Sequence, residues 1–121
     1  MNSSRFLALA RLFFRDRWNL YAYGASMTLC LLSAFTMFRY LPREDALSLH
    51  YNVYFGIDFL GSWQTAILLP VVGIVLTAIN AAVGLFVWHR DAPTSYFLAV
   101  GTVVITVLIT TASALIIYVN V

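Results

Sequence analysis

The side chains of this 121-residue chain that could bind a metal or move a proton are few: two histidines, one cysteine and five carboxylates. His50 and Asp58 share the stretch SLHYNVYFGIDFLGSW, residues 48–63. A histidine with a carboxylate can ligate a metal or act in acid–base chemistry. Here the pair has no second histidine near it, and the chain carries no HExxH, GxSxG or phosphate-loop signature. His89 stands beside Arg90 and Asp91 and reads as a solvated residue. Cys30 is alone, so an intramolecular disulfide and a CxxC site are excluded. An enzyme would have to work with His50, Tyr51, Asp58 and His89. We therefore expect no catalytic residue, no metal and no cofactor. We read His50, Tyr51, Tyr54, Phe55, Asp58 and Trp63 as a surface for interaction.

The elements that must position these residues are membrane spans. The chain is 62% hydrophobic and 10% charged, with a mean hydropathy of +0.87. That is too little charge to cover a soluble domain of this size. Three uncharged runs, 20–38, 63–88 and 96–119, each reach the roughly 20 residues that cross a bilayer core. Tyr21, Tyr23, Tyr40, Trp63, Trp88, Tyr96 and Tyr118 lie at their ends, where interfacial aromatics belong. The runs lack strict alternation and are too long for single barrel strands. The first run is longer than the apolar core of a signal peptide and is read as an uncleaved span. The expected fold is an all-α membrane protein in one domain, 1–121. It comprises a basic arm (1–19), span 1 (20–38), an aromatic loop (39–62), span 2 (63–88), a short loop (89–95) and span 3 (96–119).

In the arm, Phe6, Leu9 and Phe13 share one helical face, with Leu20 more loosely aligned. Arg11, Arg15 and Asp16 fall opposite. This pattern predicts an amphipathic helix lying in the headgroup layer. Arg5, Arg11, Arg15 and Arg17 precede span 1 and Arg90 follows span 2, whereas only Arg39 and Arg43 flank the aromatic loop. Arginine placement thus predicts a cytoplasmic N-terminus, an extracytoplasmic aromatic loop and an extracytoplasmic C-terminus. A net charge of +2 gives no reason to expect nucleic acid as a partner.

Each span carries small or weakly polar residues at a spacing of four. They are Ala22, Ser26, Cys30 and Ala34; then Gly73, Thr77 and Ala81, with Gly84 near; then Thr102, Thr106, Thr110 and Ala114. Such stripes join helices in lipid, where apolar surface alone gives little drive. Pro70 removes one backbone donor from span 2 and predicts a kink. Asn80 is the most polar residue within a span and calls for a partner on another helix or subunit. No Asp, Glu, Lys, Arg or His lies inside the spans, which argues against pumps, ion-coupled transport and voltage sensing.

The loop opens with the polar break Leu41-Pro42-Arg43-Glu44-Asp45. Alternation of Leu49, Tyr51, Val53 and Phe55 with His50, Asn52 and Tyr54 predicts an extended, half-buried piece. Gly56 permits a bend. Residues 57–61 read as a short turn feeding Trp63 into span 2, with Asp58 capping that helix or pairing with Arg39 or Arg43. The block HYNVYFGID, residues 50–58, resembles a segment of small, uncharacterised bacterial integral membrane proteins, in which it precedes an apolar span. There a proline and a tryptophan follow the aspartate, whereas here Gly61-Ser62-Trp63 supplies the tryptophan alone. The resemblance implies a bacterial inner-membrane address and no particular activity. The expected role is a structural or accessory subunit that assembles with other membrane proteins or with itself. The alternative is an oligomeric channel lined by Asn80, Thr102, Thr106 and Thr110.

Overall fold

A computed structural model describes residues 2–121, with the side chains of Tyr51 and Asp58 outside the described set. Helix α1 spans Ser3–Arg15 and α2 spans Arg17–Tyr40. Strands β1 (Leu47–Asn52) and β2 (Gly56–Gly61) follow. Helix α3 is Trp63–Trp88 and α4 is Ala92–Asn120. The helices α2, α3 and α4 are long and apolar enough to cross a membrane. They pack side by side, α3 antiparallel to the other two, and the strands form an antiparallel hairpin at one end. The chain is therefore mostly helical, with the expected spans in place. The connection between the first two spans, expected as an aromatic loop with one extended, half-buried piece, is instead a two-stranded hairpin, and Val53 and Phe55 of that piece are exposed.

Local chemistry sets the boundaries. Asp16 adopts an extended conformation and breaks what would otherwise be one helix. Its carboxylate accepts from the Trp18 amide at 2.9 Å, capping α2. Leu20 consequently belongs to α2 and does not continue the apolar face of α1. Ser62 caps α3 by accepting from the Thr65 amide at 3.3 Å, so the cap expected from Asp58 is supplied by Ser62. Pro93 at the start of α4 has a missing N–H that would be unpaired there anyway. Pro70 is fully buried, and α3 continues through it without interruption.

The interior of the three-helix bundle is built from small and weakly polar residues. Asn19, Tyr23, Ser26, Cys30 and Ser33 of α2 are buried. So are Gly73, Thr77 and Gly84 of α3, and Ser95, Ala99, Thr102 and Thr106 of α4. The large aliphatic side chains of the same helices, such as Leu31, Val72, Ile79 and Leu108, face outward. This arrangement inverts that of a soluble core, as hydrocarbon surroundings require.

Two apolar clusters close the ends of the bundle. At one end Phe13 of α1 is fully buried with Tyr23, Leu85 and Ala99, and Leu9, Ala10 and Trp88 lie against them. The Phe13 ring meets Trp88 edge-on at 6.1 Å, and Phe6 approaches Phe86 at 6.5 Å. The face of α1 bearing Phe6, Leu9 and Phe13 is thus turned toward the bundle, while Leu7, Leu12 and Phe14 remain exposed. At the hairpin end Met37, Leu41, Leu47 and Ala66 are buried together, flanked by Leu49, Trp63 and Ile116.

Two glycines set how closely the helices approach. A Cβ on Gly73 would lie 2.6 Å from Cys30 Sγ and 3.1 Å from Ile109 Cδ1. A Cβ on Gly84 would lie 2.7 Å from Tyr23 Oη and 3.4 Å from both Phe13 Cζ and Ser95 Oγ. Gly24 has open space around the same position. Gly84→Ala is expected to cost about 1–3 kcal/mol through overpacking, read as a lower midpoint in a denaturing-detergent titration followed by circular dichroism. Gly24→Ala should leave the midpoint unchanged or raise it. Equal midpoints for the two variants would show that the α2–α3 approach does not depend on Gly84.

Candidate functional site

The residues singled out from the sequence fall into two groups. Asn80, Thr102, Thr106 and Thr110 lie in the seam between helices. His50, Tyr51, Tyr54, Phe55, Asp58 and Trp63 belong to the hairpin and its junction with α3. His89, at the far end of α3, is separated from the hairpin by the length of that helix, about 39 Å at 1.5 Å per residue. Among the described residues no three His, Cys, Asp or Glu side chains come together.

In the seam, Asn80 Nδ2 donates to Thr102 Oγ1 at 2.9 Å, and that hydroxyl donates to the Leu98 carbonyl at 2.7 Å. Tyr23 Oη donates to the Asn80 carbonyl at 3.1 Å, so one residue of α3 is held from both neighbouring helices. Thr106 and Thr110 donate to carbonyls of their own helix, Val103 and Thr106. Ser33 Oγ lies within hydrogen-bond distance of Thr110 Oγ1, at 3.3 Å. Thr102 and Thr106 are 0% exposed and Thr110 is half-buried. Asn19, Ser26 and Ser113 are also buried in the bundle, and their side-chain polar atoms have no partner among the described residues.

The hairpin is anchored at its base and bare at its tip. Residues 57–61, read from the sequence as a turn, form strand β2. Leu47 pairs with Gly61, Ser48 with Leu60, His50 with Phe59, Tyr51 with Ile57 and Asn52 with Gly56. The register shifts at Leu49 on one strand and back at residue 58 on the other, so two bulges offset each other. The turn is made by Asn52, whose Oδ1 accepts from the Tyr54 amide at 2.9 Å, and by Gly56 at φ +76°.

Three ties hold the base. Asn120 at the end of α4 meets Ser48 twice: the Ser48 amide donates to Asn120 Oδ1 at 2.8 Å, and Asn120 Nδ2 donates to the Ser48 carbonyl at 2.8 Å. The Trp63 amide donates to the Glu44 carbonyl at 3.1 Å. The Arg43 guanidinium sits 4.4 Å from the Phe38 ring and 4.1 Å from the Trp63 ring, and donates to the Phe38 carbonyl at 2.8 Å. It thereby joins the end of α2 to the start of α3 by cation–π contact.

Beyond these ties the surface is apolar. Val53, Tyr54 and Phe55 at the tip are 85%, 90% and 83% exposed, and Ile57, Phe59 and Leu60 are exposed along β2. His50 is exposed on β1, and Trp63 is half-buried beneath Arg43. Tyr51 pairs with Ile57, residue 58 is the bulge of β2, and the side chains of Tyr51 and Asp58 lie outside the described set. Asn120 and Ser48, which were not singled out from the sequence, do the anchoring together with Arg43, which the sequence suggested only as a partner for Asp58. An amide at the boundary of an apolar run was the available signal for Asn120.

No family model, curated protein or solved structure matches this chain. Its class rests on its own helices, whose length and composition are those of a multi-pass membrane protein.

Asn120→Ala removes both bonds to Ser48 and leaves a partly buried amide and carbonyl unpaired, a cost of about 1–3 kcal/mol. The effect should be local. Amide exchange along Leu47–Asn52 is expected to speed up about tenfold to a hundredfold, with α2, α3 and α4 unchanged. Unchanged exchange on β1 would show that the hairpin is held without this clasp.

Proposed function

We propose that this chain is a small structural or accessory subunit of a bacterial inner membrane, with the aromatic hairpin as its recognition surface. Its partners are other membrane proteins or further copies of itself. The observation that carries this reading is the bare tip, Val53, Tyr54 and Phe55, on a hairpin tied down at its base. Contiguous exposed aromatic surface marks interaction sites, and tyrosine and phenylalanine are favoured anchors there. The seam supports the same reading through the residues that a channel would expose. Asn80 bonds Thr102 of its own chain, and Thr102 and Thr106 are buried against the neighbouring helices. A channel formed by several copies would need these side chains to face a shared axis, so the burial of Thr102 and Thr106 favours the subunit reading. The reading assigns no chemical step, no cofactor and no nucleic acid.

Arginine placement supports a cytoplasmic N-terminus, an extracytoplasmic hairpin and an extracytoplasmic C-terminus. In this orientation α1 lies at the cytoplasmic interface. Leu7, Leu12 and Phe14 are free to enter the headgroup layer while Phe6, Leu9 and Phe13 hold the helix to the bundle. Alkaline phosphatase fused after Asp45 should be active, and fused after Asp91 inactive. The reverse pattern would invert the proposed topology.

Native mass spectrometry of protein extracted gently from its own membrane tests the assembly. Reproducible heterologous masses, or a fixed number of copies, are expected with the native tip and lost in Val53→Ser/Tyr54→Ser/Phe55→Ser. A monomer in both forms would reject the subunit reading. A closed oligomer that survives the triple change, and is disrupted by Asn80→Leu, would restore the channel.

A further inference from the structure

The structure assigns α1 and the first turn of α2 a partner of their own, the headgroups of anionic phospholipids. The assignment rests on α1 lying at a membrane face, and it depends neither on which face that is nor on the role of the hairpin tip. The positive charge at this end of the bundle is uncompensated. Arg5, Arg11, Arg15, Arg17 and Arg90 are all exposed. None of their guanidinium groups has an ion pair, hydrogen bond or ring contact among the described residues. The two carboxylates at this end already accept hydrogen bonds within the chain. Asp16 accepts from the Trp18 amide and the Tyr96 hydroxyl, and Asp91 from the Thr94 hydroxyl. The hairpin end is the opposite case. There two arginines stand among Glu44, Asp45 and Asp58, and Arg43 is held by two rings and a carbonyl.

Depth selects the partner. Only Asp16 separates α1 from α2, the first of the spans. Farther along α1, Phe13 meets Trp88, and Phe6 meets Phe86, a ring exposed on the outer side of α3. Phe86 and Trp88 both belong to the last turn of α3. Helix α1, about 20 Å long, is thus pinned across the end of a span and cannot project from the surface. Its arginines lie at the level of the lipid phosphates. Leu7, Leu12, Phe14 and Trp18 are exposed among them. A bilayer surface offers phosphate and hydrocarbon in adjoining layers, which matches this mixture of side chains. An acidic protein would have to displace lipid that is already there.

Net charge selects the class of lipid. A zwitterionic headgroup carries its own cation beside the phosphate and gives an excess of arginine little to gain. The phosphate of phosphatidylglycerol has no such neighbour, and a guanidinium binds it through two parallel N–H bonds. Each basic residue near an anionic surface strengthens attachment about fivefold. Arg11 and Arg15, one turn apart, lie opposite the face of α1 that packs on the bundle. They can therefore be changed without removing a packing contact.

The first test uses the unaltered chain in vesicles of phosphatidylcholine with a minor share of phosphatidylglycerol. In paired samples one lipid or the other bears a diazirine near the ester end of an acyl chain. After photolysis, the ratio of phosphatidylglycerol to phosphatidylcholine adducts on residues 3–18 should exceed the bulk ratio by about fivefold or more. The hairpin should show no such excess. In about 1 M salt, where the screening length is about 3 Å, the ratio on α1 should fall toward the bulk value. A bulk ratio on α1 at low salt would overturn the proposal and leave the interfacial helix standing. No adducts on α1 from either lipid would overturn both and leave the arginines to an acidic protein. The second test repeats the labelling with Arg11→Gln/Arg15→Gln, which should cut the excess several-fold and keep the phosphatidylcholine adducts. Arg39→Gln, at the hairpin end, should leave the excess unchanged. An excess that survives the double change would also overturn the proposal.

Discussion

Everything in this structure depends on how three apolar helices hold together where apolar surface gives no drive to associate. Lipid chains solvate leucine and valine as well as another helix does, so what remains is close approach and weak polar contact. The chain meets this constraint with one seam. Gly73 and Gly84 let the backbones come near, and the hydroxyls of Ser33, Thr77, Thr102, Thr106 and Thr110 bond back to their own helices. Asn80 is the one strong amide near the middle, and it is matched to Thr102 on α4 while its carbonyl receives Tyr23 from α2. Each such bond contributes only about 0.6 kcal/mol in a membrane. The fit of small residues therefore matters as much as the hydrogen bonds, and the helices cannot slide past one another without opening it.

The ends of the seam follow different rules because they reach the interface. There bulky aromatics replace small residues. Phe13, Tyr23 and Trp88 close one end, and Trp63, with Arg43 stacked on it, sits beside the other. The hairpin is an extension of this second cluster: Leu47 is buried with Met37, Leu41 and Ala66, and Leu49 packs against them. The fold thus divides the surface into two kinds. The sides present aliphatic side chains to lipid, and the tip presents aromatic side chains beyond the helix ends.

The spans were legible because a bilayer leaves so few options. Residues 63–88 coincide with α3, whose ends are tryptophans at the interface. The other two helices run past the uncharged stretches, to Arg17–Tyr40 and Ala92–Asn120, because capping and polar flanks set those limits and hydropathy does not register them. The inward direction of Ser26, Cys30, Gly73, Thr77, Thr102 and Thr106 was also legible from their spacing, whereas Ala114, placed on the third stripe by the same spacing, is exposed. What was not legible is which stripe meets which. Internal closure of all three follows from tertiary packing and has no local signature. The second strand was missed because the two bulges break its alternation, placing Phe59 and Leu60 side by side. Its turn also lacks an Asn-Gly pair: Asn52 and Gly56 do that work four residues apart. The Asn120–Ser48 clasp joins positions 72 residues apart, and no local pattern could announce it.

That separation has a consequence in time. A ribosome adds about 5–20 residues per second, so β1 is made some 4–14 s before the asparagine that clasps it. Through that interval the aromatic strands are without their anchor. The hairpin can settle only when α4 is inserted and its end arrives beside Ser48. Completion of the last span is therefore the event that presents the tip in its final position, and a chain stalled or cut before α4 would display the same aromatic residues without the clasp that places them.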